Sequence, residues 1–169
     1  MDPEQIARAL AALSPEQRAQ AVNRMLSGLD KALGIELTYV SPERVMAECE
    51  VRDVHLQPYG LVHGGVYASL AESVCSLGAA MTVISDGKNV VGRSNQSRFL
   101  KAARQGSRLH ITAMPAATER RNMQRWVATM GDGGDVIFAE SEVMLVVLES
   151  HREVAGGRLH VAGLEESLD

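Results

Sequence analysis

Cysteine is scarce: Cys49 and Cys75 are the only two in 169 residues. They form neither a CxxC pair nor a disulfide framework, which suits a reducing cytosol. Positive charge is short as well. Seventeen Lys and Arg against 21 Asp and Glu leave a net charge of -4 and a pI near 5.7, which argues against nucleic acid as the main partner. The five histidines (His55, His63, His110, His151, His160) make no HxH or HExxH pattern, so no metal site is expected. The chain opens without a basic segment leading into an apolar run, so no signal peptide is expected. Aromatic residues are only 4% of the chain, which does not discriminate between an aryl and an alkyl ligand. What is present is ordinary for a globular domain: 46% hydrophobic and 22% charged residues, in a chain long enough for one real core.

The organising stretch runs from Tyr59 to Ser85. A turn leads into His63-Gly64-Gly65 and then into small and apolar side chains, with Glu72 as the one charged residue between Val66 and Ser85. A helix apolar nearly all round lies inside protein or inside a membrane. Here Ala, Ser and Gly make it weakly hydrophobic and Glu72 would sit near mid-bilayer, so a core helix is expected and no membrane partner. A lone carboxylate in such a helix loses solvation and needs a compensating partner, which makes Glu72 the first candidate for chemistry.

Residues 1–33 read as a helical extension. Asp2-Pro3-Glu4-Gln5 and Ser14-Pro15-Glu16-Gln17 each place a cap, a first-turn proline and a glutamine three residues after the cap. Ile6, Leu10, Leu13, Val22, Met25, Leu26, Leu29 and Leu33 are expected to share one apolar face, which either packs on the domain or a partner subunit or belongs to a partly ordered extension. Strands are expected at Ile35 to Val40 and Val45 to Val51, the second alternating Val45, Ala47, Cys49 and Val51 with polar residues. Asp53 to Val62 reads as loop. Beyond the helix, Val90–Phe99, Arg108–Pro115, Gln124–Met130 and Val136–Leu148 read as strands, with Asp132-Gly133-Gly134-Asp135 a hairpin turn. Residues 34–150 thus form an α+β domain, an antiparallel sheet folded around one long helix, and 151–169 a polar, loosely held tail.

Gly64-Gly65 at a helix start offers backbone N–H groups without a side chain in the way, the arrangement an acyl-transfer oxyanion needs. Glu72 lies eight residues on, roughly 12 Å along the axis at 1.5 Å per residue. If both groups act on one carbonyl, they come from different subunits, and the pairing implies a homodimer. Ser76, one turn after Glu72, is placed either to bond the carboxylate or a water, or to pack as a small residue. His63 fits a base or a loop anchor, Gln57 a carbonyl donor or a solvated loop residue. Cys75 has no neighbouring base in the sequence and reads as a buried thiol.

The run Tyr59-Gly60-Leu61-Val62-His63-Gly64-Gly65-Val66-Tyr67 followed by Leu70-Ala71-Glu72 resembles the hotdog-fold acyl-CoA thioesterases. The branch it is most similar to holds 4-hydroxybenzoyl-CoA thioesterase and the phenylacetate-pathway (PaaI-like) enzymes. The likeness continues through Val91 to Gln96, Phe99-Leu100-Lys101 and the 132–139 hairpin, and spans roughly Gly34 to Glu149. The resemblance implies a hotdog fold and a hydrolase needing no metal or organic cofactor. It implies Glu72 as nucleophile or general base and the Gly64 N–H of the neighbouring subunit polarising the thioester carbonyl. Gln57 would sit beside that carbonyl and His63 would hold the loop. Ser76 matches a position where 4-hydroxybenzoyl-CoA thioesterase carries a water-placing threonine. Gly65, Asn95, Lys101 and Arg104 would face substrate or CoA, as would Arg120, Arg121 and Asn122, which depart from the relative's Gly/Ser/Thr pattern. Dimers of the family commonly pair into homotetramers.

Three readings follow: a cytoplasmic acyl-CoA thioesterase, a hotdog dehydratase of hydroxyacyl thioesters, and a non-catalytic acyl-CoA-binding module. His63-Gly64-Gly65 fits the dehydratase arrangement poorly, and a pure binder gains nothing from a buried carboxylate facing a thioester.

Overall fold

A computed structural model describes residues 9–118, 122–149, 153–154 and 157–158. The element order is α1 (Pro15–Met25), α2 (Gly28–Leu33), β1 (Ile35–Val40), β2 (Val45–Glu50), α3 (Gly64–Val83), β3 (Lys88–Phe99), β4 (Arg108–Ala116), β5 (Met123–Gly131) and β6 (Ile137–Glu149). The six strands form one antiparallel sheet in the order β1-β2-β4-β5-β6-β3, with α3 lying across it. This is the α+β architecture expected from the period-two runs. The helix α3 starts at Gly64 as expected, and one correction concerns its other end: it gives way to a short 3-10 turn, Ile84–Asp86, so Ser85 lies beyond it.

The helical extension is less regular than its sequence suggests. The second expected start forms as a full capping box, in which Gln17 N–H donates to Ser14 Oγ and Ser14 N–H to Gln17 Oε1. The first, at Asp2, lies outside the described residues, as does Ile6. The single apolar face expected to run to Leu33 is broken, because the backbone leaves helix at Leu26 and restarts after Ser27 with Gly28 at φ 54°. That break turns Leu29 outward, 60% exposed, which corrects its assignment to the face. Asn23 instead makes the decisive contact. Its side-chain amide brackets Leu37, donating to the Leu37 carbonyl at 2.8 Å and accepting from the Leu37 N–H at 2.9 Å. It thereby occupies the bonding positions a further strand would take on edge strand β1.

The core lies between α3 and the sheet. Leu70, Val74 and Cys75 of the helix meet Leu109 and Ile111 of β4, Trp126 and Met130 of β5, and Val143 and Leu145 of β6, all at 1% exposure or less. At about 1.5–3 kcal/mol per buried large apolar side chain, this interface outweighs any single polar contact in the molecule. Together, α3 and its terminal turn (64–86) are long and apolar enough to cross a bilayer by length and composition, a test that the core helix of a soluble protein also passes. Asp132 closes the β5–β6 turn, its carboxylate accepting from the Gly134 N–H at 2.9 Å and the Val136 N–H at 3.2 Å. Within 151–169 only a two-residue pairing is described, Glu153–Val154 against Gly157–Arg158.

Gly78 is a point of very close approach in this interface. A Cβ there would lie inside the contact radius of the Trp126 ring. Alanine normally stabilises a helix by about 1 kcal/mol over glycine. The overpacking, about 1–3 kcal/mol, opposes that gain and should exceed it. Gly78→Ala is expected to lower the urea midpoint and to shift Trp126 fluorescence; a raised midpoint would overturn this account of the packing.

Candidate active site

The segment entering α3 is fixed from below by a residue that sequence reasoning passed over. His55 is fully buried, its Nδ1 accepting the Arg52 N–H and its Nε2 bonded to the Leu33 carbonyl, both at 2.9 Å. These partners assign the neutral Nε2–H tautomer. The His55 carbonyl then accepts the His63 N–H at 2.8 Å, so the end of α2, the loop and the start of α3 are tied at one point. Above it Gln57 and Gly60 close a turn, with Gly60 N–H donating to the Gln57 carbonyl and Gln57 N–H to the Leu61 carbonyl. The φ of 71° at Gly60 makes a glycine the natural occupant.

His63 is the N-cap of α3. Its Nδ1 accepts the Gly65 N–H at 2.9 Å, and its carbonyl accepts the Val66 N–H at 2.9 Å. That Nδ1 is therefore occupied as an acceptor, and the side chain acts here as a cap. Gly64, the first residue of the helix, has no protein acceptor for its N–H among the described residues. The Phe99 ring lies on it so closely that a Cβ at Gly64 would come within 2.7 Å of the ring. Gln57, His63, Gly64, Gly65, Tyr67, Phe99 and Lys101 line a cleft of about 590 Å³, so the structure joins five residues singled out from the sequence around one free N–H at a helix N-terminus.

Glu72 is not in that cleft. It lies two turns further along α3, half-buried, facing Gly92 and Asn95 of β3. Its Oε2 accepts from Asn95 Nδ2 at 3.1 Å, and the same Nδ2 donates to the Ala68 carbonyl at 2.9 Å. Asn95 is oriented in turn by Ser97, whose hydroxyl donates to its Oδ1 at 3.0 Å and lies 2.7 Å from the buried hydroxyl of Ser141. Asn95, assigned from the sequence to substrate contact, thus has its amide committed to the carboxylate. Buried Cys75 has its thiol pushed far above the usual range, first by burial and then by the charge of Glu72 next to it. Such a thiol is no nucleophile.

Ser76 makes no hydrogen bond to Glu72 among the described residues. It opens instead into a separate cavity of about 320 Å³ between α3 and the helical extension, shared with Ser73, Leu77, Val22, Leu26 and Asp30. There Ser73 Oγ donates to Asp30 Oδ1 at 2.5 Å, tying α2 to α3. Lys101 and Arg104 are exposed, Lys101 on the rim of the larger cleft. Asn122 is exposed at the entry to β5, its carbonyl accepting the Val147 N–H; Arg120 and Arg121 lie outside the described residues. Among the described residues no three His, Cys, Asp or Glu side chains converge as a metal set would.

The sequence missed His55, Asp30, Ser97 and Ser141. Only the serines left a trace, as hydroxyls in the inward register of strands that otherwise alternate apolar residues. His55 and Asp30 act on partners 22 and 43 residues away, at Leu33 and Ser73, and no local pattern marks such contacts.

Comparison with known proteins adds an independent line. The profile of the thioesterase superfamily matches residues 59–130, which hold the cleft loop, α3 and the strands up to β5. A Mycobacterium tuberculosis protein with a provisional esterase name is 33% identical over 140 residues, 82% of this chain and 99% of that protein. The 1,4-dihydroxy-2-naphthoyl-CoA hydrolase of Listeria monocytogenes is 29% identical over 126 residues, 74% of this chain and 99% of the relative. Among solved structures, a Haemophilus influenzae thioesterase superposes with a TM-score of 0.71 at 26% identity, covering 84% of this chain and 95% of that one.

Burial lowers the pKa of His55, with the charge of Arg52 adding to it against the Leu33 carbonyl and Asp53. The unfolded chain therefore binds a proton at pH values where the folded chain resists it. Stability carried by neutral His55 is full above the ordinary histidine value of about 6.5 and is lost as pH falls below it. Urea unfolding from pH 7.5 to 5 is expected to show a falling midpoint. His55→Gln should be less stable at pH 7.5 by about 1–3 kcal/mol, with a shallower pH slope. An unchanged slope in the variant would remove His55 as the titrating group.

Proposed function

The chain belongs to the thioesterase superfamily and is a thioester hydrolase, and on that footing we propose that it hydrolyses acyl-CoA with Glu72 and the Gly64 N–H acting on the same thioester from two subunits. The observation that carries this reading is the division of the site along α3. One half holds an unpaired N–H at the positive end of the helix dipole; the other holds a single carboxylate oriented by Asn95. Within one subunit these halves are roughly 12 Å apart along the helix, too far to share a carbonyl. A two-fold axis brings the N-terminus of one α3 to the Glu72 of the other, so the working unit is a homodimer with two shared sites.

In this arrangement the substrate carbonyl oxygen accepts the Gly64 N–H, with Gln57 beside it in the same cleft. Negative charge that develops on that oxygen meets a donor held fixed by the His63 cap and by the core beneath α3. Glu72 then serves in one of two ways. As nucleophile its carboxylate attacks the carbonyl carbon, the C–S bond breaks, CoA leaves as thiolate and is protonated, and water hydrolyses the resulting anhydride. As general base it takes a proton from water as the water oxygen attacks. Either route adds one water and yields the free acid and CoA, without a cofactor. In this reading the exposed Lys101 and Arg104 meet the CoA phosphates, and Ser76, one turn beyond Glu72, holds the hydrolytic water. The two unpaired buried thiols suit a cytoplasmic setting, and pairing of dimers into a tetramer completes the proposed assembly.

CoA release, followed with a thiol reagent across aryl-, phenylacetyl- and straight-chain acyl-CoAs, tests the chemistry. Glu72→Ala is expected to lose about 10²–10⁴-fold in kcat while remaining folded. Normal turnover by that variant would end the assignment of Glu72. Sharing between subunits is tested by mixing inactive Glu72→Ala with inactive Gly64→Pro, which lacks the N–H. Half of the random dimers are hybrids with one intact site each, so about a quarter of wild-type activity should return. No return would place both groups in one subunit.

A further inference from the structure

We propose that Gly92, on β3, is a positioning residue for the reaction: it is the seat on which the Glu72 carboxylate rests, and its lack of a side chain sets where the reacting oxygen stands. The inference rests on the assignment of Glu72 as the reacting carboxylate. Three observations lead to it. A Cβ built on Gly92 would fall far inside the contact radius of Glu72 Oε1, and within 3.2 Å of its Cδ. Gly92 is not among the glycines with positive φ, so its backbone would accept any L-residue, and what a side chain there would displace is the Glu72 carboxylate. The register of β3 on β6 slips at this point: Gly92 pairs with Leu145 and Ser94 with Met144, leaving Arg93 as the extra residue.

The slip has a geometric consequence. It falls between Gly92, under Oε1, and Asn95, whose Nδ2 holds Oε2, so one short stretch of β3 addresses both carboxylate oxygens. Asn95 fixes the carboxylate by a hydrogen bond; Gly92 fixes how close it comes to the strand. With a methyl at position 92, Oε1 would have to retreat by on the order of 1 Å to restore ordinary contact. A displacement of that size at a reacting atom is enough to cost about 10²-fold in rate. Gly92 itself touches no substrate in this scheme and acts through Glu72.

The test is Gly92→Ala in the full-length protein, alone and combined with Glu72→Ala, with melting temperature and CoA release measured on all four proteins. In the otherwise wild-type chain the change is expected to lower kcat by about 10–100-fold with KM within about threefold, since the cleft around Gly64 is untouched. In the Glu72→Ala background, where the carboxylate is gone, the same change should leave the melting temperature unchanged or raised. In the wild-type background it should lower it, and a failure to fold confined to that background would support the same contact. Wild-type kcat in Gly92→Ala overturns the proposal, as does an equal drop in melting temperature in both backgrounds, which would mean that something other than Glu72 limits the space. Full turnover by Glu72→Ala alone would instead refute the assignment of Glu72, which separates the two failures.

Discussion

One rigid helix packed on one sheet constrains everything else in this protein. A helix of twenty residues that buries Leu70, Val74 and Cys75 against β4, β5 and β6 has neither rotation nor slide left to it. Its N-terminal N–H and the carboxylate of Glu72 are therefore fixed in space, about two turns apart along the axis. Gly78 against Trp126 sharpens this, because the helix approaches the sheet there as closely as a residue without Cβ allows. What the helix loses in freedom it supplies as preorganisation: in the proposed reaction neither the Gly64 N–H nor the Glu72 carboxylate has to be gathered.

The polar groups of the site are held in a way that matches their cost. A half-buried carboxylate with no ion-pair partner among the described residues would be poorly solvated on an apolar helix. Asn95 offsets this with one amide N–H, and the orientation of that amide is itself dictated by the Ala68 carbonyl and the Ser97 hydroxyl. Chains of this kind leave a single geometry open, because turning any member leaves a buried donor or acceptor unpaired. The N-terminal half uses the same logic with backbone groups. His63 takes up the Gly65 N–H and leaves that of Gly64 without a protein acceptor among the described residues, so this donor stands in the cleft rather than in the core.

The helical extension is part of this machine rather than an appendage. Asn23 closes the β1 edge by bonding both backbone groups of Leu37, and Asp30 reaches Ser73 one residue beyond Glu72. Through Leu33 and His55 the extension also braces the loop that enters α3. A segment that reads as a separate unit in sequence is thus joined to both halves of the site, and its removal would be felt at each.

The elements and their order were legible in the sequence, because they depend on neighbours. Alternation of apolar residues marked β2, the Ser14 box marked the start of α1, and the Asp132 turn marked the β5–β6 hairpin, each within a window of a few residues. The special standing of Glu72 was equally visible, since one charge in an apolar helix needs a reason wherever the helix packs. What surrounds that charge was not visible. Gly92 lies twenty residues from Glu72 and Asn95 twenty-three, while Ser141 sits forty-four from Ser97. Those meetings are decided by strand register, including the single-residue slip at Arg93, and by how deeply the helix sits on the sheet. Register and depth come from the summed packing of the whole core. A local pattern can single out a candidate such as Glu72, and only the tertiary structure can say what holds it still.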